Sequence, residues 1–129
     1  MVQEYPKEYA KDFLDKSIKF LEIAKQTLEK YPDESAFNAT QAIINANDAF
    51  TISVIQKRAS KDHREAILLH KEAVKKVGDS SKLSIVQMGL ESRDATGYDV
   101  KKRFGKEEAE LLVKRAERFI YWVRDKIKV

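Results

Sequence analysis

Small residues recur at every third or fourth position between residues 36 and 53, and this stripe limits the possible folds most strongly. It consists of Ala36, Ala39, Ala42, Ala46, Ala49 and Ser53. Such spacing places the side chains on one side of an α-helix. Bulkier apolar residues lie beside them at Phe37, Ile43, Ile44, Phe50 and Val54. Because small side chains let helix axes approach closely, the sequence predicts a helix at the centre of a bundle.

Apolar residues elsewhere also recur at helical spacing, between residues that favour helix ends. Helices are predicted over about 5–30, from Asp33 or Ser35 to about 57, over 62–77, from Ser80 or Ser81 to about Asp94, and over about 106–127. Asp62 and Glu65 fit a capping box, Gly78 fits a helix end, and Thr96-Gly97 is expected to break the fourth helix. No segment alternates with period two, so we predict no strands.

These elements predict an all-α fold in which residues 1–129 form one domain, an up-and-down bundle of four to five helices. The chain contains no cysteine, which excludes disulfides and thiol chemistry. We expect no metal site, because the two histidines have no carboxylates at ligand spacing, and no cofactor. No apolar run approaches the roughly 18 residues of a membrane span, and the N-terminus does not resemble a signal peptide. A cytoplasmic location is therefore expected.

The formal net charge of +4 is compatible with a nucleic-acid partner but is small enough to serve solubility alone. A more local feature is a polar line along the second predicted helix, formed by Asn38, Gln41, Asn45 and Asp48. This line has two interpretations. It is either a solvated face of the helix or a surface that meets a ligand or a partner.

Three segments, in this order, resemble the HEPN (higher eukaryotes and prokaryotes nucleotide-binding) family, in its divergent stand-alone form from archaea and bacteria. They are ESAFNATQAIINANDAFTISVIQKR, KDHREAILL and SRDATGYDVKKRFGKEEAELLVKRAERFIYWV. The first is similar to the family's Ala-rich central helix, although Thr40-Gln41 stands where one branch has two tyrosines. The resemblance covers nearly the whole chain. It implies a bundle like that of the substrate-binding subunits of nucleotidyltransferases.

The same resemblance implies a working site at the turn from Arg93 to Tyr98. Catalytic members of the family are metal-independent ribonucleases with an Arg, a polar residue and a His four to six positions after the Arg. Here Arg93 and Asp94 match this motif, and Tyr98 stands in the histidine's place. A phenol with a pKa of about 10 is a poor general base at neutral pH. The resemblance therefore implies binding of RNA or a nucleotide more than cleavage. Alternatively, these residues only stabilise the turn.

A second segment, Arg58 to His63, also satisfies the Arg-x4-His pattern. It lies between the second and third predicted helices, which is not where the family has its motif. It is therefore the weaker catalytic candidate, and His63 can equally be a surface residue in a capping turn. The other histidine, His70, is predicted to be solvated or half-buried within the third helix.

A basic run directly follows the Arg93–Tyr98 turn, at Lys101, Lys102 and Arg103. With Arg93, Asp94 and Tyr98 it is a candidate surface for a phosphate backbone. On its own, such a run is usually a solvated loop.

Three functions follow as hypotheses: an RNA- or nucleotide-binding module, a metal-independent endoribonuclease, and a purely structural dimerisation subunit. The family resemblance also implies a homodimer that pairs two such turns, and a separately encoded minimal nucleotidyltransferase as partner in a two-component or toxin–antitoxin system.

Overall fold

The computed structural model describes residues 2–60, 62–97 and 104–128, with the backbone alone for 94–97. Five helices make up most of these residues, and they confirm the predicted all-α bundle. They are α1 (Tyr9–Thr27), α2 (Pro32–Ile55), α3 (His63–Val77), α4 (Leu83–Gly97) and α5 (Lys106–Ile127). Two short strands, β1 (Gln3–Glu4) and β2 (Lys57–Arg58), complete the order.

Helix α2 lies at the centre of the bundle, as the stripe of small residues predicts. It contacts all four other helices, most extensively α1 and α5. The alanines of the stripe are buried. Helix α4 approaches α2 closely at Gly89, where an added Cβ would lie 2.7 Å from Cγ2 of Ile43. Hydroxyl groups also contribute to the contact with α1, since Ser17 Oγ donates to the carbonyl of Ala42 over 2.7 Å.

The core contains a cluster of aromatic rings contributed by α2, α3 and α5. Phe50 lies with its ring centroid 4.8 Å from that of Trp122, and Phe119 stacks on Trp122. His70 belongs to this cluster, with its ring 5.2 Å from Phe50. The prediction of a solvated or half-buried His70 is therefore wrong: the side chain is fully buried. Asn47 on α2 supplies the polar partner that makes this burial tolerable, through a 2.9 Å contact between His70 Nδ1 and Asn47 Oδ1.

The prediction of no strands is also wrong, although the sheet is small. Strands β1 and β2 pair antiparallel, with Gln3 opposite Arg58 and Glu4 opposite Lys57. Two-residue strands are too short to show a period-two pattern, so the sequence carried no signal for them. The pairing begins where α2 ends, because Gln56 adopts a left-handed conformation with φ of 55° and turns the chain out of the helix.

Several helix ends differ from the predicted ones. Helix α2 begins at Pro32, so neither Asp33 nor Ser35 is its N-cap. Asp33 instead accepts a hydrogen bond from the backbone N–H of Phe104 before α5, and the Ser35 hydroxyl donates to the carbonyl of Ala24. Proline at the first helical position needs no N–H partner, which explains how the helix starts there.

Other ends were predicted more closely. Asp62 caps α3, as predicted, by accepting a hydrogen bond from the N–H of Arg64. Glu65 accepts hydrogen bonds from Ser60, not from Asp62. Gly78 ends α3 in a left-handed conformation, as predicted. Helix α4 starts at Leu83, after the predicted Ser80 or Ser81, and continues through Thr96 to Gly97, so these two residues do not break it.

Burial of His70 leads to a prediction about acid stability. Burial lowers the pKa of His70 from 6.5 to about 4, because the core disfavours the charged imidazolium. Between these two pH values the unfolded chain binds a proton that the folded chain does not bind. The free energy of unfolding should therefore fall as the pH drops from 6.5 to 4, by up to about 3 kcal/mol from this residue.

Urea unfolding of the wild type, His70→Gln and His70→Leu at several pH values between 4 and 7.5 measures this linkage. Both replacements are uncharged throughout, so each should lose the same part of the pH dependence even if their stabilities at pH 7.5 differ. Parallel curves for all three proteins would show that His70 does not contribute to acid unfolding.

Candidate ligand-binding cleft

A cleft of about 230 Å³ lies where α1, α2, α4 and the segment between β2 and α3 come together. We call it the α2 cleft, after the helix that contributes the most lining residues. Its lining residues are Lys16, Phe20, Gln41, Ile44, Asn45, Asp48, Arg58, Ala59, Ser60, Asp62, Ala66, Leu90 and Arg93. Cationic side chains from three different elements therefore surround a short row of amides and one buried carboxylate.

The polar row of the cleft is the polar line of α2. Gln41, Asn45 and Asp48 are spaced by four and three residues, which places them on one face of the helix. Gln41 is partly buried, and the other two side chains are buried. Asn45 is 7% exposed and Asp48 is 6% exposed. Of the two interpretations of the polar line, the structure therefore excludes the solvated one at these two positions.

Arg58 enters the cleft from β2 and is held in place by contacts on several sides. Its Nε donates to Oδ2 of Asp48 over 3.1 Å. Its guanidinium carbon lies 4.6 Å from the ring centroid of Phe13 and 5.8 Å from that of Tyr5. Its Nη1 also donates to the Tyr5 hydroxyl over 3.4 Å. These contacts fix the plane of the guanidinium, and the β1–β2 pairing brings Tyr5 to it.

Asp48 is the most perturbed group in the cleft. Burial raises its pKa to about 6, since the low-polarity surroundings disfavour the carboxylate, while Arg58 and Arg93 act in the opposite direction. Among the described residues, Arg58 is the only hydrogen-bond partner of its carboxylate, and the bond is to Oδ2. No described residue donates a hydrogen bond to the second carboxylate oxygen, Oδ1. A buried acid that titrates near neutral pH can accept or donate a proton under ordinary conditions.

The structure brings together the two arginines that the sequence placed in rival motifs. Arg58 and Arg93 line the same cleft, one from β2 and one from the last turns of α4. His63 does not line the cleft; it is the first residue of α3 and is partly exposed. Of the predicted Arg58–His63 pair, only Arg58 therefore lines the cleft.

The remaining predicted site residues lie outside what the structure describes. The backbone of Asp94 belongs to α4, but its side chain is not described. Tyr98, Lys101, Lys102 and Arg103 all fall in the undescribed segment 98–103. That segment lies between α4 and α5 in the chain, and its first residue comes five positions after Arg93.

Sequence reasoning did not identify Lys16 and Asp48 as site residues. Lys16 is one of many charged residues on α1 and carries no distinguishing signal. Asp48 did carry one, because it belongs to the polar line on a helix that the small-residue stripe places at the bundle centre. Within residues 2–60, 62–97 and 104–128 there is no group of His, Asp or Glu side chains that could hold a metal ion. None of the described helices is long and apolar enough to cross a bilayer.

Comparison with known proteins adds no assignment. No protein-family model matches the chain, and no curated protein matches it significantly.

The Asp48–Arg58 pair leads to a second prediction. Replacing Arg58 with Gln leaves a buried carboxylate without its main cation, which should destabilise the protein by roughly 1–3 kcal/mol at pH 7.5. The penalty should shrink as the pH falls below 6, because the folded protein then carries a neutral Asp48 that needs no cation.

Unfolding of Arg58→Gln in urea at pH 7.5 and pH 5 tests this expectation. The double variant Arg58→Gln/Asp48→Asn is the matched control: it has no carboxylate at this position, so its free energy of unfolding should change less between the two pH values than that of Arg58→Gln. An equal loss for Arg58→Gln at both pH values would contradict the proposed dependence on the Asp48 charge.

Proposed function

We propose that this chain is an RNA- or nucleotide-binding domain of the HEPN type, and that the α2 cleft binds the phosphate of its ligand. The observation that carries this proposal is the convergence of Lys16, Arg58 and Arg93 on one cleft. Arginine presents its N–H groups in a plane that matches two phosphate oxygens, and lysine adds a point charge. The resemblance to the HEPN family and the positive net charge of the chain support the same class of ligand.

The other residues of the cleft suit the remaining parts of a nucleotide. Phe20 offers an aromatic side chain on which a base could stack. The amide of Gln41 can donate and accept hydrogen bonds, as the edge of a base requires. Asn45 uses its Nδ2 to donate to the backbone carbonyl of Gln41 over 2.8 Å, which orients its side-chain oxygen. A phosphate and a base each therefore have candidate partners here.

The proposed site continues into the segment predicted from the sequence. Arg93 is common to the α2 cleft and to the predicted set Arg93, Asp94, Tyr98, Lys101, Lys102 and Arg103. We propose that the basic run contacts phosphates that follow the one bound in the cleft. The family resemblance further leads us to propose a homodimer, and a separately encoded nucleotidyltransferase as a partner.

Titration of the protein with a fluorescent RNA oligonucleotide and with ATP, at two salt concentrations, tests the binding proposal. Arg93→Ala and Arg58→Ala should each weaken binding by about tenfold or more, since each removes a charge-assisted contact. The dependence of affinity on salt should also become less steep by about one charge per variant. Arg118→Ala is the control: it removes an exposed cation on α5 and should leave affinity within about twofold.

Absence of binding at low salt would overturn the proposal and favour a purely structural subunit. Binding that both cleft variants leave unchanged would show that the ligand binds elsewhere on the chain.

A second candidate function is a metal-independent endoribonuclease, and one observation favours it. Asp48 is a buried acid with a pKa of about 6, and two arginines line the same cleft. The Asp48 carboxylate could accept the proton of a ribose 2′-hydroxyl as that oxygen bonds to the adjacent phosphorus, while the arginines stabilise the phosphorane. The bond to the 5′-oxygen then breaks, and the 5′-oxygen takes a proton from water. The proton acceptor would then be Asp48, in place of Tyr98 with Arg93 or His63 with Arg58.

An endoribonuclease predicts RNA cleavage that persists in EDTA and leaves a 2′,3′-cyclic phosphate. Asp48→Asn should abolish that cleavage, whereas His63→Ala should retain it because His63 does not line the cleft. Loss of cleavage in His63→Ala but not in Asp48→Asn would assign the reaction to the Arg58–His63 motif. If the protein binds RNA tightly but does not cleave it, the chain is a binding module.

A further inference from the structure

Asp48 presents a problem for a cleft that binds phosphate, because a carboxylate repels the ligand that the arginines attract. Its side chain is nearly buried, and within the described part of the chain its carboxylate is hydrogen-bonded only through Oδ2, to Arg58. The other carboxylate of the cleft, Asp62, is already engaged as the cap of α3. Asp48 is therefore the acid whose free oxygen a bound ligand must face.

An ionised carboxylate only accepts hydrogen bonds. A ligand that brings a hydrogen-bond donor beside its phosphate turns the free Oδ1 into a partner, whereas a ligand without one leaves two negative groups facing each other. In RNA the 2′-hydroxyl is such a donor, because it lies on the ribose carbon next to the one that carries the 3′-phosphate. DNA has no group there, and this hydroxyl is the feature by which proteins distinguish the two.

We propose that Asp48 is a specificity-determining residue of the α2 cleft, which accepts a hydrogen bond from the ribose 2′-hydroxyl next to the phosphate bound by Arg58 and Arg93. This inference rests on the proposed function, since it requires a phosphate in the cleft. It names the ligand class more narrowly: a phosphorylated ribose with a free 2′-hydroxyl, as in RNA. The fixed guanidinium of Arg58 supports it, because Arg58 contacts Asp48 directly and so sets the distance between phosphate and carboxylate.

Protonation of Asp48 should weaken this selection. Among the described residues, the charged groups that line the cleft with Asp48 are Lys16 on α1, Arg58 on β2, Asp62 before α3 and Arg93 on α4. The pKa of Asp62 is lowered by its hydrogen bond to the N–H of Arg64, whereas burial raises the pKa of Asp48 to about 6. Asp48 therefore changes charge between pH 5 and 7.5.

The test compares the affinities of the wild-type protein for three oligonucleotides of one sequence: RNA, DNA and 2′-O-methyl RNA. At pH 7.5 RNA should bind about tenfold or more tightly than DNA, which is the range expected for one hydrogen bond to a charged group. The 2′-O-methyl RNA should bind as weakly as DNA, because its methyl ether keeps the oxygen but removes the donor. At pH 5 the preference for RNA should fall to within about threefold.

Two variants separate the charge of Asp48 from its role as acceptor. Asp48→Leu removes both, so it should bind RNA and DNA equally, and bind DNA more tightly than the wild type does. Asp48→Asn keeps an acceptor oxygen without the charge and should show an intermediate preference. Asp125→Asn removes an exposed carboxylate on α5 and should leave the preference unchanged.

The outcomes distinguish this inference from the proposed function. Equal affinity of the wild type for RNA and DNA, with both weakened by Arg93→Ala, would overturn the role of Asp48 and leave phosphate binding in the cleft intact. A preference for RNA that persists in Asp48→Leu would also overturn it. Binding of none of the three oligonucleotides would overturn the proposed function itself. The comparison of RNA, DNA and 2′-O-methyl RNA on the wild type requires no Asp48 variant, so it tests the inference even if Asp48→Leu does not fold.

Discussion

The burial of α2 on all sides is the constraint on which the rest of the structure depends. A helix surrounded by other helices must either be apolar all round or supply partners for its polar side chains. Helix α2 supplies such partners at two neighbouring positions. Asn47 pairs with His70 in the aromatic core, and Asp48, one residue further, pairs with Arg58 at the edge of the bundle. The Asn47–His70 pair lies inside the closed core, where the imidazole is neutral. The Asp48–Arg58 pair lies at a cleft.

The cleft also depends on the short sheet, although the sheet has only two residues in each strand. Pairing of β1 with β2 places Tyr5 against Arg58, and Phe13 on α1 covers the same guanidinium. An arginine stacked in this way loses little further freedom when it binds a phosphate, because its orientation is already set. The N-terminal strand thus acts on the cleft through Arg58, without lining it.

Most of the fold could be predicted from the sequence, since the spacing of Ala36 to Ser53 required a closely packed central helix and the caps at Asp62 and Gly78 marked α3. The strands could not be predicted. The pairing of two residues in each strand depends on where Gln56 turns the chain, and not on any local sequence pattern. The site was predicted only in part. Arg58 and Arg93 were recognised separately, in two competing motifs 35 positions apart. Their meeting depends on how α4 packs against α2, which is a property of the tertiary structure.

The energetics of Asp48 argue that its position serves a ligand. Burying a carboxylate beside an arginine stabilises a protein little, and a well-packed apolar pair of similar volume is often as stable or more so. His70 shows how this chain buries a polar group for structure alone, with a lowered pKa that keeps the ring neutral and one amide partner. Asp48 differs, since its pKa lies near neutral pH and it lines a cleft with three cations. Groups with this combination of burial, perturbed pKa and access to a cleft are concentrated at functional sites.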